Sequence, residues 1–164
     1  MCRYAVVTGA DKGIGLEIVQ PLASLGIVVV LTARNETGGR DAITKLHQLC
    51  LSIDTDIKVS RYFAQINNAG ASCVEVDEES LQTMNVDPAT WMQLSCKVDK
   101  TLFQGVITET YMKADECLNT NYYGVKRVTM ALLPLLQLSS AKVRIVNLSS
   151  LRGELKVYSR NSAA

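Results

Sequence analysis

One stretch of eight residues limits what this chain can fold into. Thr8-Gly9-Ala10-Asp11-Lys12-Gly13-Ile14-Gly15 carries three glycines at G-x-x-x-G-x-G spacing between two different hydrophobic patterns. Before it, Tyr4-Ala-Val-Val-Thr8 is a short apolar run and predicts a buried strand. After it, Ile14, Ile18, Leu22 and Leu25 recur at three- and four-residue spacing. That predicts an amphipathic helix from about Gly13 to Leu25, stopped at Gly26. Pro21 lies inside this helix, where a missing N–H predicts a kink. Ile27-Val-Val-Val-Leu31 is β-branched without alternation, as expected of a strand covered on both faces. Strand, helix and strand in such a short span imply a right-handed parallel crossover.

The glycines have distinct physical uses. Gly9 lets the chain turn off the strand, Gly13 lets backbone approach a pyrophosphate, and Gly15 lets the helix pack closely on the sheet. The helix dipole and the unpaired N–H groups of the first turn then face an anion. A glycine-rich turn with no ligand has the same composition, but the flanking strand and helix favour a dinucleotide-binding loop. Asp11, Lys12 and Ile14 would then line the cofactor beside the three glycines. The second strand ends in Thr32-Ala33-Arg34-Asn35. Arg34 stands nineteen residues past Gly15, where a chain that binds NAD places an acid for the ribose 2′-hydroxyl. A guanidinium there can hold a 2′-phosphate bidentately, and Lys12 adds a second positive charge. The expected cofactor is NADP(H) rather than NAD(H); the alternative for Arg34 is a plain surface charge.

The remainder is patterned unevenly. A second helix is expected from about Arg40 to Leu51 and a weak strand over Arg61–Ile66, before Asn67-Asn68-Ala69-Gly70. Residues 71–108 predict loop and short helix. Leu118, Tyr122, Val125, Thr129, Leu132 and Leu136 fall on one face of a long helix expected from about Glu109 to Leu136. Val143-Arg-Ile-Val-Asn147 predicts another strand, leading into Leu148-Ser149-Ser150. The fold class is therefore α/β, a doubly wound parallel sheet, and 164 residues suit a single domain. Seventeen basic against sixteen acidic residues give no surplus that would recruit nucleic acid or a membrane surface. No apolar run approaches the roughly eighteen residues of a membrane span. The motif at Thr8 leaves no room for a signal peptide, so a cytoplasmic protein is expected. Five cysteines, at 2, 50, 73, 96 and 117, are odd in number and form no C-x-x-C pair. They predict idle thiols, with neither a disulfide framework nor a metal site. The lone histidine, His47, is read as a solvated helix residue.

Thr8–Gly15, Asn67-Asn68-Ala69-Gly70, Asn119-Thr-Asn-Tyr-Tyr-Gly124 and Val143–Ser150 occur in this order, and together they resemble the short-chain dehydrogenases/reductases. The likeness is to the plant branch of menthone and salutaridine reductases and neomenthol dehydrogenase, related to animal carbonyl reductases. It covers most of residues 1–156. The resemblance implies an NADPH-dependent oxidoreductase acting on a small carbonyl or alcohol. It implies that Asn68 and Ala69 line the adenosine side of the cofactor and stiffen the sheet. It also implies that Asn121 holds a water in a proton relay, and that Ser150, rather than Ser149, hydrogen-bonds the substrate oxygen. A monomer is expected by the same likeness.

The chain departs from that family pattern in two places. No Tyr-x-x-x-Lys follows Ser150 within the 164 residues, since Tyr158 has Ser162 four positions on. The family's proton donor and its lysine are thus expected to be missing, as in a C-terminally truncated chain. Twenty-one residues separate Lys45 from Asn67, too few for the family's third strand and following helix. Both sheet edges would then be bare and apolar, which favours self-association. Three functions stay in competition. They are a short-chain reductase, a non-catalytic dinucleotide-binding fragment or splice product, and an interaction partner of a full-length relative.

Overall fold

The computed structural model describes residues 3–48, 62–84, 105–139, 142–150 and 153. The chain forms two compact units, Met1–Ala71 with Asn119–Leu148, and Ser72–Leu118 with Ser149–Ala164. In the first unit lie β1 (Arg3–Val7), α1 (Gly13–Ser24), β2 (Ile27–Leu31), α2 (Glu36–Gln48) and β3 (Tyr62–Asn67). A π-helical segment (Asn119–Gly124), α5 (Val125–Gln137) and β6 (Arg144–Asn147) complete it. In the second unit lie β4 (Glu75–Val76), α3 (Glu78–Thr83), β5 (Ile107–Thr108) and α4 (Tyr111–Leu118).

Four parallel strands pair in the order β2-β1-β3-β6. Side chains of β1 alternate between two cores, as a strand with both faces covered requires. Ala5 and Val7 pack with Val19 of α1, Leu46 of α2, and Ala64 and Ile66 of β3. Tyr4 and Val6 pack with Leu136 of α5 on the other side. Helices on both faces of a parallel sheet make this the doubly wound α/β fold that the β-α-β pattern predicted. Val7 is fully buried, and burying a valine stabilises by about 1.5–3 kcal/mol. Among the described residues β2 and β6 are the edges of the sheet. Residues 49–61, where the family's third strand was sought, lie outside the described residues.

Several expectations are corrected by the structure. Ile14 and Leu25 were expected on the buried face of α1, yet both are about two-thirds exposed, at 67% and 66%. The buried residues are Gly15 and Val19. Gly15 touches the backbone of the preceding loop, and Val19, four residues on, shares its face. Ile14 is turned about 100° away from that line. The second helix starts at Glu36, four residues before the expected Arg40. Asn35 caps it: its Oδ1 accepts the Thr37 N–H at 2.8 Å and its carbonyl accepts the Gly39 N–H at 3.1 Å. The weak strand proves to be β3, an inner strand of the sheet, ending one residue later at Asn67.

The single long helical face also fails. Leu136 is buried, but Leu118 and Tyr122 are half exposed. The π segment inserts a wider turn, so residues before Val125 lose the phase of those after it. In the second unit, β4 and β5 form an antiparallel pair that no periodicity announced, with Val76 opposite Ile107. Asp77 then caps α3, its Oδ1 accepting the Glu79 and Ser80 N–H groups at 3.1 and 3.4 Å. The Ser80 hydroxyl donates to its Oδ2 at 2.7 Å. These bonds, the Ser80 hydroxyl first, hold the Asp77 carboxyl below its ordinary value of 3.8. The same unit overturns the reading of all five cysteines as idle. Cys73 and Cys117 are joined in a disulfide across 44 residues of sequence. Spacing along the chain carries no trace of that pairing, because the fold alone brings the two segments together. His47 is exposed on α2, as expected of a solvated residue.

Candidate functional site

Because all four strands run parallel, their carboxyl ends lie along one edge of the sheet. Four chain segments leave the sheet there: Thr8–Gly15 after β1, Thr32–Arg34 after β2, Asn68–Gly70 after β3 and Leu148 after β6. Ligands of open α/β sheets bind along this edge.

The glycine loop has the geometry its spacing predicted. Gly9 and Gly13 take left-handed φ values of 61° and 55°. A Cβ on Gly15 would press into the Gly9 carbonyl oxygen and stand 2.5 Å from Asn68 Nδ2 and 2.9 Å from Ala10 Cα. A Cβ on Gly13 would meet nothing within 4 Å. Gly15 thus serves close packing, while space stays open above the backbone at Gly13. Lys12 is the cap residue of α1, extended at φ −161°, with no side-chain cap bond and no acid in the first turn. The N–H groups that open α1 therefore lack the internal anion that would compete with a ligand. Lys12, Gly13 and Ile14 are exposed, and Asp11 is partly exposed.

The loop is held from beneath by the residues that follow β3. The Thr8 Oγ1 accepts the N–H groups of Asn68 and Ala69, both at 3.1 Å. Asn68 Nδ2 donates to the carbonyls of Thr8 and Gly9, both at 3.0 Å. Asn68 thereby ties the glycine loop to the sheet. The glycine spacing by itself assigns Thr8 no role; a hydroxyl residue between a strand and its first glycine is the available signal. Ala10 donates to the Thr32 carbonyl at 2.9 Å, so the loop is also pinned to the end of β2. Arg34 follows two residues later and is exposed. Gly38 of α2 lies against Asp11, where an added Cβ would stand 3.2 Å from Asp11 Oδ2.

Asn121 sits in the π segment and grips one residue twice. Its Oδ1 accepts the Ala71 N–H at 2.8 Å and its Nδ2 donates to the Ala71 carbonyl at 3.0 Å. The segment after Gly70 is thereby clipped to the widened turn. Beneath it runs a buried amide chain that the sequence reading missed. Gln65 Nε2 donates to Asn67 Oδ1 and to Thr129 Oγ1, both at 2.8 Å, and Asn67 Nδ2 donates to Asn147 Oδ1 at 2.7 Å. Polar residues at alternate positions of Ala64-Gln-Ile-Asn67 were its only signal. The first unit thus brings together the glycine loop, Arg34, Asn68, Ala69 and Asn121. Ser149 and Ser150, next in the chain after Leu148, belong to the second unit. Both are exposed, and the Ser150 carbonyl accepts the Gly153 N–H at 2.9 Å.

A family model for short chain dehydrogenase matches residues 3–163. The chain belongs to the short-chain dehydrogenase family. Within it, the chain is 42% identical to salutaridine reductase of Papaver bracteatum over 98% of its own length and 58% of that protein. It is 38% identical to (+)-neomenthol dehydrogenase of Arabidopsis thaliana over 94% of its length and 55% of the relative. The solved structure of salutaridine reductase from Papaver somniferum superposes with a TM-score of 0.79 at 39% identity, covering 94% of this chain and 59% of that one. This family member therefore spans a little over half the length of the curated relatives it matches. Among its described residues no helix is long and apolar enough to cross a membrane.

Proposed function

We propose that this chain binds NADPH along the carboxyl edge of its sheet, as the cofactor-binding part of an oxidoreductase acting on a small carbonyl or alcohol. The observation that carries the reading is the glycine loop: its helix starts without an internal cap or acid and is flanked by Lys12 and Arg34. Backbone N–H groups at Gly13, Ile14 and Gly15 would hold the pyrophosphate, with Gly9 shaping the turn and Asp11 bordering the loop. Arg34 and Lys12 would hold the 2′-phosphate, the feature that separates NADPH from NADH. Asn68 and Ala69 would flank the adenosine side. The cofactor, when bound, would supply a hydride to a carbonyl carbon.

The chain's own groups would manage the resulting charge. A carbonyl that accepts hydride becomes an oxyanion, which requires a hydrogen-bond donor and then a proton. The Ser150 hydroxyl is the donor in this reading. Asn121 holds the π segment in place and orders a water for proton delivery. A positioned general acid contributes roughly 10²–10⁴ in rate, and these 164 residues hold no Tyr-x-x-x-Lys after Ser150. A second reading for these 164 residues is that they bind the dinucleotide without turning over and work beside a full-length relative.

Fluorescence titration with NADPH and NADH tests the first reading. Saturable binding that prefers NADPH, with the preference lost in Arg34→Ala, is the expected result. Equal binding of both cofactors, or of neither, overturns it. Steady NADPH oxidation with a cyclic ketone would then rule out the second reading, and binding without oxidation would support it.

A further inference from the structure

We propose that Cys73 and Cys117 form a thiol–disulfide exchange site that takes a small-molecule disulfide of the glutathione class and sets the stiffness of the segment gripped by Asn121. The two residues belong to one compact unit and their Cα atoms are 5.1 Å apart, within the span a disulfide bridges. Their exposure is unequal: Cys73 is exposed, whereas Cys117 on α4 keeps 9% of its surface. An incoming disulfide therefore reaches Cys73 first, and Cys117 is placed to resolve the mixed species. The exchange balances without a metal or flavin. The Cys73 thiolate attacks one sulfur of oxidised glutathione, forming a mixed disulfide and releasing one glutathione thiolate. The Cys117 thiolate then attacks the Cys73 sulfur, closing the internal disulfide and releasing the second. Two protein thiols lose two protons and two electrons, and one glutathione disulfide becomes two thiols.

The site matters because of what its two segments carry. Cys73 is two residues beyond Ala71, and Cys117 is four residues before Asn121. Ala71 and Asn121 are themselves joined by two hydrogen bonds, at 2.8 and 3.0 Å. The same two stretches of chain are thus tied once by hydrogen bonds and once covalently. Oxidation limits how far Ala71 can part from Asn121, and reduction removes that covalent limit. The functional consequence rests on the reading of Asn121 as part of the site.

The test equilibrates the full chain with reduced and oxidised glutathione, quenches it with a thiol-alkylating reagent and maps peptides without reduction. The expected product has one internal disulfide, between Cys73 and Cys117. The variant Cys117→Ala should stop at a glutathione adduct on Cys73. Pulse alkylation of the reduced wild-type chain should modify Cys73 before Cys117, a measurement that needs no variant to fold. Hydrogen exchange of the Ala71 amide should slow by about ten-fold or more on oxidation. A different pairing, adducts spread over all cysteines, or an Ala71 exchange rate equal in both forms overturns the proposal. NADPH titration of both forms separates the two readings: binding lost in both refutes the cofactor site alone, while the mapping and exchange data still judge the thiol pair.

Discussion

At the scale of single residues, two glycines of one loop make opposite demands. Gly15→Ala would drive a methyl into the Gly9 carbonyl and toward Asn68 Nδ2, atoms held by the bonds that pin the loop. Overpacking of this kind costs about 1–3 kcal/mol, and thermal unfolding should show it together with loss of NADPH binding. Gly13→Ala meets no atom within 4 Å but keeps a φ of 55°, so the expected loss is about 1–2 kcal/mol from backbone strain. Its distinctive effect should be weaker binding of the cofactor, read by the same titration, because the new methyl occupies the open space above the loop. Equal effects of the two variants on stability and binding would contradict this division of roles.

At the scale of elements, side-chain amides hold strands in register. Asn67 is 3% exposed and its Nδ2 depends on Asn147 across the β3–β6 pair. Asn147→Ala should cost about 1 kcal/mol, measured by urea unfolding, since it leaves a buried donor unpaired. The Gln65 side-chain oxygen Oε1 has no hydrogen-bond partner among the described residues, which marks this chain of amides as the least satisfied part of the core. The cap of α3 carries a pH dependence. Asp77 has its carboxyl lowered in the folded state, so its contribution is complete above about pH 3.8 and disappears as pH falls through the lowered value. An NMR titration of the Asp77 carboxyl should find its midpoint below 3.8, and Asp77→Asn should remove that dependence while keeping the cap.

At the scale of the molecule, covalent closure and sheet edges govern stability. A disulfide across 44 residues stabilises by about 4 kcal/mol on the chain-entropy account, so reduction should lower the unfolding temperature. Calorimetry with and without reductant checks this, and Cys73→Ser should abolish the difference. Among the described residues β6 is an edge strand, with Ile145 and Val146 exposed by 42% and 43%. An apolar edge invites pairing with a second copy, and light scattering should show association that rises with concentration and falls in Val146→Lys. A monomer at all concentrations would argue against it.

The β-α-β start of the fold was legible in the sequence because its signals are local. The glycines demand particular backbone geometry, and the period of apolar residues changes within a few positions. β2 was located to the residue, and the order of motifs sufficed to name the family. Charge at Arg34 and Lys12 is a local signal of the same kind, since the NADPH preference proposed from it depends on residue type at a set distance from the loop. Other features exist only after folding. The buried face of α1 was decided by where Gly15 meets the loop, and the phase of the long helix by a π turn. Thr8 gained its role from N–H groups sixty residues away. Asn67 and Asn147 met through strand pairing, and Cys73 found Cys117 through contacts that no spacing encodes. Local propensity and periodicity act over one or two turns of chain, so the sequence by itself determined the strand, the glycine loop and the helix that follows it. Which distant side chains would brace it was decided only when the sheet assembled.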